Sequence, residues 1–203
     1  MRKIMFNDRY GLTQAVIEGR KTMTRRLVPW ALTEQWMEFV SDAPSVGGVY
    51  VHESEKEFYE REAPRYKVGE VVAVAQSYRD VCAGGFEPDA TILRLFEEQR
   101  IAGWTNKMFT KAELMPYQIR ITGIKCERLQ DISDEDCFRE GISESWYEST
   151  DTTTYGYADE KKGTAVEFDT PRKAFATLID KVSGKGTWAR NPWVVVYEFE
   201  LVK

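Results

Sequence analysis

Two long alternating segments constrain this chain more than anything else in its 203 residues. From Trp193 to Val202, Trp193, Val195, Tyr197, Phe199 and Leu201 fall on one side, and Val194, Val196, Glu198 and Glu200 on the other. From Tyr117 to Arg128, Ile119, Ile121 and Ile124 alternate with Arg120, Thr122 and Lys125, with an irregularity expected at Gly123. A period of two puts successive side chains on opposite faces, so both segments read as strands of one sheet. Shorter strands are expected at residues 3–6, at Val46–His52, and at 71–75 after the turn at Val68-Gly69-Glu70.

Helical signals are fewer. Leu12, Val16 and Ile17 have helical spacing, Asn7 or Asp8 can cap their start, and Gly19 closes them. Ser133 opens a short helix that Gly141 ends. Thr170-Pro171 is an N-cap followed by proline, and it opens an apolar stripe of Ala174, Phe175, Leu178, Ile179 and Val182 that Gly184 closes. Residues 32–40 read as a short helix or an extended segment, and 53–63 as a hairpin or helix. Residues 79–92 read as irregular, 92–96 as either strand or helix, and the polar stretch 143–165 as a long loop. No repeat and no linker divides the chain. The expectation is one α+β domain spanning residues 1–203, a small mixed β-barrel with peripheral helices, closed by its terminal strand.

Composition narrows the chemistry. An apolar share of 42% with 30% charged residues is that of a globular protein, and 13% aromatic residues argues against disorder. No apolar run is long enough to span a bilayer, and the first residues lack the apolar core of a secretory signal. Cys82, Cys126 and Cys137 form no CxxC pair and are read as free thiols of a reducing, cytoplasmic compartment. His52 is the single histidine, so any histidine-based triad, dyad or zinc site would have to use it. It is read as a strand-end residue. Neither metal nor cofactor is expected. A net charge of −5 speaks against non-specific coating of duplex DNA, yet leaves room for a local basic pocket.

Such a pocket is suggested by Arg20-Lys21-Thr22-Met23-Thr24-Arg25-Arg26, four cations in seven residues with no acid among them. Exposed like charges at this spacing repel by about 0.2–0.5 kcal/mol per pair. Partner acids or a bound anion must compensate. One reading is a solvated basic turn paired with local Asp and Glu. The other is a site in which guanidinium groups grip phosphate or carbonyl oxygens. In that site a desolvated Lys21 acts as base toward the hydroxyl of Thr24. Lys21 and Thr24 share a face if the segment is helical and lie on opposite faces if it is extended; a strand starting after Lys21 permits either. Glu140, before Gly141, is an acid at the helix end that the macrodipole disfavours, and a carboxylate there can orient a lysine. Trp104, Trp146, Tyr147, Tyr155 and Tyr157, in irregular stretches, are candidates for stacking on bases.

Several ordered segments resemble ASCH-domain proteins, particularly those of phages and bacteria. These are Ala15 to Arg26, Val68 to Val74, Glu127 to Ile142, Gly186-Thr187-Trp188, and Asn191 to Phe199. The stretches near 31–63, 79–112 and 143–168 find no counterpart and read as insertions. The resemblance implies a PUA-like β-barrel and a role around RNA, a nucleoside or a nucleotide. One bacterial branch of the family hydrolyses the acetyl amide of N4-acetylcytidine with a lysine and a threonine of the opening motif and a downstream glutamate. Placed by motif, these fall on Lys21, Thr24 and Glu140. Arg20, Thr22, Arg25 and Arg26 would then contact substrate or RNA. Related members often carry Trp-Val-Arg-Glu-Thr-Trp where this chain has Ala73 to Tyr78, so an arginine and a glutamate of that stretch are absent and the ligand is expected to differ if they bind substrate in relatives; Gln76 and Tyr78 are the candidate substrate or RNA contacts there. The alternative is a non-catalytic RNA-binding module, or a phage-related protein-interaction module.

Overall fold

The computed structural model describes residues 1–42, 45–46, 49–50, 54–84, 94 and 102–202. The chain is α+β. Its main sheet has five strands in the order β1 (Lys3–Ile4), β5 (Val71–Val74), β6 (Gln118–Arg128), β10 (Trp193–Leu201) and β2 (Met23–Leu27). β1 runs parallel to β5, and every other neighbouring pair is antiparallel. The ladders stop at β1 and β2 among the described residues. The two edges are bridged instead by side chains: Arg26 on β2 donates to the carbonyl of Met5 (2.5 Å) and lies over the Phe6 ring.

The two alternating segments form the middle of this sheet. Val194, Val195, Val196 and Tyr197 are all buried, so β10 is covered on both faces and its run of apolar residues follows. The expected irregularity in β6 is a bulge. Glu198 opposes Gly123, whereas the next residue, Phe199, opposes Ile121, which leaves Thr122 as the extra residue. A Cβ on Gly123 would press on the Glu198 side chain at 3.3 Å.

α5 (Asp134–Arg139) and α6 (Pro171–Ser183) form where their caps were legible, whereas α1 (Leu12–Ile17) is preceded by Gly11 at its N-cap and not by Asn7 or Asp8 as expected. The Ser133 hydroxyl accepts from the amide of Asp136, and the Thr170 hydroxyl from that of Lys173. The segment 8–10 ahead of α1 is a 3-10 turn, and Asn7 makes no side-chain cap bond. α2 (Trp30–Asp42) and α3 (Glu55–Glu62) are helices, α3 being opened by a capping box between Ser54 and Glu57. Their facing aromatic rings, Trp36 and Phe58, lie 5.3 Å apart. β3 (Ser45–Val46) and β4 (Val49–Tyr50) pair as a short ribbon. His52 lies outside the described residues, as do most of residues 85–101, including the ambiguous stretch 92–96 apart from Arg94.

Two expectations are corrected. The start of the stretch read as irregular is a helix, α4 (Tyr78–Ala83), capped by Ser77, whose hydroxyl accepts from the amide of Asp80. The polar stretch 143–165 is not a long loop. It forms a meander of β7 (Ser143–Tyr147), β8 (Thr152–Asp159) and β9 (Thr164–Phe168). Its turns use positive φ at Asp151 and Gly163. The sheet is fastened to the N-terminal segment by the Arg9–Asp159 ion pair (3.1 Å), a backbone bond from Glu160 to Arg9 (2.8 Å), and an edge-on contact of Tyr10 with Tyr157. α7 (Thr187–Arg190) fills the bend before β10. No helix among the described residues is long and apolar enough to cross a membrane.

Gly156 in β8 shows how closely this meander is packed, because a Cβ there would overlap the carbonyl oxygen of Val166 on β9. Gly156→Ala is expected to destabilise the protein by about 1–3 kcal/mol, the usual cost of overpacking. A lowered midpoint in chemical denaturation checks this. An unchanged midpoint would mean the two strands are free to spread.

Candidate active site

The basic segment is held at both ends before the strand begins. Gly19 takes a left-handed conformation (φ 74°) that ends α1. The amide of Lys21 then donates to the carbonyl of Ala15 (2.9 Å), and that of Thr22 to the carbonyl of Arg139 (2.9 Å). Lys21 thus precedes β2, and Thr24 lies on it. Residues 20–22 are clamped between α1 and the end of α5, which carries Glu140 at its C-cap. Gly141 follows at φ 105°, and the Lys21 Cδ lies 3.6 Å from where its Cβ would be. A side chain there would also meet Leu12 at 3.2 Å. The glycine therefore clears the path by which Lys21 reaches Glu140.

Lys21 is only 2% exposed, and its Nζ lies 2.6 Å from both the Oε2 and the backbone carbonyl oxygen of Glu140. The other carboxylate oxygen, Oε1, accepts from Arg25 Nη1 at 3.1 Å. Arg25 also donates from Nε and Nη2 to Glu127 Oε1 (2.9 and 2.6 Å) and from Nη2 to Asp136 Oδ2 (2.8 Å). One guanidinium thus holds three carboxylates, from β6, from α5 and from the residue that caps α5. Burial works against its charge, yet Glu140 and Glu127 hold its proton affinity above the ordinary value. For Lys21 the balance is reversed. Burial outweighs the attraction of Glu140 and lowers its proton affinity below the usual 10.5.

A cavity of about 280 Å³ opens here, lined on its polar side by Lys21, Thr24, Arg25, Arg26, Glu140 and Asn7. Phe6 and Leu12 from the N-terminal segment, and Phe175, Leu178 and Ile179 from α6, supply apolar walls. Thr24 is buried (4% exposed), and its hydroxyl makes no hydrogen bond among the described residues. Arg26 has no carboxylate partner there either, and burial lowers its proton affinity against the pull of Glu140.

The structure therefore brings Lys21, Thr24, Arg25, Arg26 and Glu140 together. Arg25 comes as a corrected residue. Its side chain is fully covered and committed to carboxylates, so it organises the site instead of offering a free fork to a ligand. Arg20 is exposed, pairs with Glu18 (2.6 Å) and does not line the cavity. Nor does Thr22, whose hydroxyl faces Arg139 Nε at 3.4 Å. Gln76 and Tyr78 also lie elsewhere. Tyr78 is buried in a separate cluster with Val81 and Met115, and its hydroxyl accepts from the amide of Lys111. The amide of Gln76 donates to the Met115 sulfur. Of the aromatic candidates, Tyr157 is core, whereas Trp146 stands 60% exposed on β7. Sequence reasoning missed Phe6, the α6 wall and Asp136, and it placed Asn7 only at a helix start. Glu127 next to Lys125 on the alternating strand was the available signal for a counter-ion, and the two do pair at 2.8 Å.

Burial pushes the thiols of Cys126 and Cys137 up to about 12, which makes them poor nucleophiles near neutrality. Among the described residues no group of His, Cys, Asp and Glu side chains could hold a metal ion. No family model matches the chain, and no curated protein or solved structure matches it either.

Arg25→Met is expected to cost about 3–5 kcal/mol, because it leaves buried carboxylates without their counter-charge. Denaturant unfolding measures this, and a loss under about 1 kcal/mol would show the network to be dispensable.

Proposed function

We propose that the chain is an ASCH-type protein with a PUA-like sheet, and that its cavity receives the base of a nucleoside and hydrolyses an N-acyl group on it, as in N4-acetylcytidine. What carries the reading is one observation. Lys21, Thr24 and Glu140, the first and last 119 positions apart, line a single cavity with Lys21 and Glu140 in contact. The cavity lies just below the usual range for small-molecule sites, about 300–1,000 Å³, which suits a base or nucleoside better than a folded RNA. Apolar walls facing a polar floor suit a planar base with one polar edge.

The chemistry uses this chain's own groups. Neutral Lys21 takes the proton of Thr24 Oγ as that oxygen bonds to the acyl carbon. Arg26, which makes no ion pair among the described residues, faces the carbonyl oxygen as it gains charge. Collapse breaks the C–N bond, and Lys21 returns the proton to the departing amine nitrogen. Water then cleaves the acyl-threonine ester by the same route, releasing the carboxylic acid and restoring the hydroxyl. Glu140 is a positioning residue. It holds two of the three Nζ positions of Lys21 and is itself fixed by Arg25.

A second reading, recognition of the same base without chemistry, draws on the saturation of that network: both Glu140 carboxylate oxygens and two lysine positions are already engaged. The two readings separate on incubating the protein with N4-acetylcytidine and assaying for cytidine. Turnover is expected, with Lys21→Ala at least about 100-fold slower and Thr24→Val inactive while still binding substrate. The rate should climb with pH as Lys21 loses its proton, with a midpoint below 10.5, and that limb should vanish in Lys21→Ala. Substrate binding without any cytidine formed would establish the recognition reading. A Lys21→Ala protein as fast as the parent would remove the mechanism.

A further inference from the structure

Arg26 lines two cavities. Beyond it, on the sheet face that carries Val195 and Tyr197, lies a second space of about 430 Å³. Lys3, Arg26 and Arg65 line it together with the rings of Tyr66 and Tyr197, and no carboxylate lines it among the described residues. That is unusual in a chain with more acids than bases and a net charge of −5. The cations are not equivalent. Lys3 Nζ is occupied by the carbonyls of Lys107, Met108 and Thr110 (3.2, 2.7 and 2.5 Å), so it secures the wall. Arg26 gives one donor to Met5 and makes no ion pair among the described residues. The Arg65 side chain makes no ion pair there either; only its backbone is engaged, with its amide on the Tyr197 hydroxyl and its carbonyl on Arg2. Arg65 and Arg26 line the same space, and after burial the Arg65 charge adds to what holds the proton affinity of Arg26 below its ordinary value. An anion seated between two guanidinium groups relieves that repulsion and gains charge-assisted hydrogen bonds.

We propose that this second cavity is an anion subsite, formed by Arg26 and Arg65, that takes the phosphate of a nucleotide whose base occupies the first cavity. Arg26, shared by both spaces, is the joint between base and phosphate. The substrate class becomes a nucleotide or an RNA residue instead of a free nucleoside. The base half of this assignment rests on the function proposed above, whereas the anion half stands on the cavity alone.

The test is calorimetric titration of the full chain with N4-acetylcytidine, its 5′-monophosphate, its 3′-monophosphate, and inorganic phosphate. At least one monophosphate is expected to bind about tenfold or more tightly than the nucleoside. That ratio should fall below about twofold in Arg65→Gln, and it should shrink as salt is raised. Arg65 is exposed and its backbone bonds survive the change, so an unchanged thermal midpoint will show the variant folded. Equal affinities for nucleoside and both monophosphates, or an advantage that persists in Arg65→Gln, overturns the subsite. If inorganic phosphate binds in an Arg65-dependent way while no nucleoside binds, the subsite stands and the base pocket falls. If none of the four ligands binds, both fall.

Discussion

The guanidinium of Arg25 is the interaction on which the site depends. It is fully buried on an edge strand, and it draws Glu127 from β6, Asp136 from α5 and Glu140 from the end of α5 to one point. Isolated, such a charge would be prohibitively costly to bury; surrounded by carboxylates at hydrogen-bonding distance, it becomes a fixed joint between sheet and helix. The consequence runs outward from there. With one oxygen held by Arg25, Glu140 presents the other to Lys21, and burial of the lysine lowers its proton affinity below the ordinary value. Structure and chemistry are therefore not separable in this cluster. The same acids that neutralise the core arginine decide where the amine sits.

The basic motif resolves into cations with different jobs. Arg20 is a surface residue with a local acid. Lys21 and Arg25 belong to the buried network, and Arg26 makes no ion pair among the described residues. Alternation along β2 explains the division, because Arg25 pairs across to Val196 and Lys125 on one face, while Thr24 pairs to Tyr197 on the other. The simple picture of four like charges gathered around one ligand does not hold. The sheet sorts them onto opposite sides before any ligand arrives.

How much of this was legible follows from the same physics. β6, β10, α5 and α6 could be read because each combines a clear period with a defined cap or turn, and such signals are local. The meander over residues 143–168 could not, because its strands are mostly exposed and carry Thr and Tyr in place of apolar alternation. Only their β-propensity and the turns at Asp151 and Gly163 marked them. That Lys21, Thr24 and Glu140 line one cavity agrees with their having been singled out together, but the cavity walls were not legible. Phe6, Asn7 and Phe175 meet there only through tertiary packing, and a sequence carries no local mark of that. Arg25 looked like a free ligand-binding group for a similar reason, since its counter-ions lie 102 to 115 positions away.

The bulge in β6 has a further implication for how this chain can vary. β10 pairs with the strand on both sides of the bulge and β5 with its first half only, and Thr122 is the residue that lets the two halves keep separate phase. With it, Cys126 continues the face of Ile119 and Ile121, and Glu127 turns to the face where Arg25 waits. Loss of one residue anywhere between Ile121 and Lys125 would exchange these roles, sending the carboxylate to the wrong side and a thiol toward the guanidinium. Length in this strand is thus under tighter constraint than identity, and relatives that keep the arginine–carboxylate joint should differ here by replacement and not by insertion or deletion.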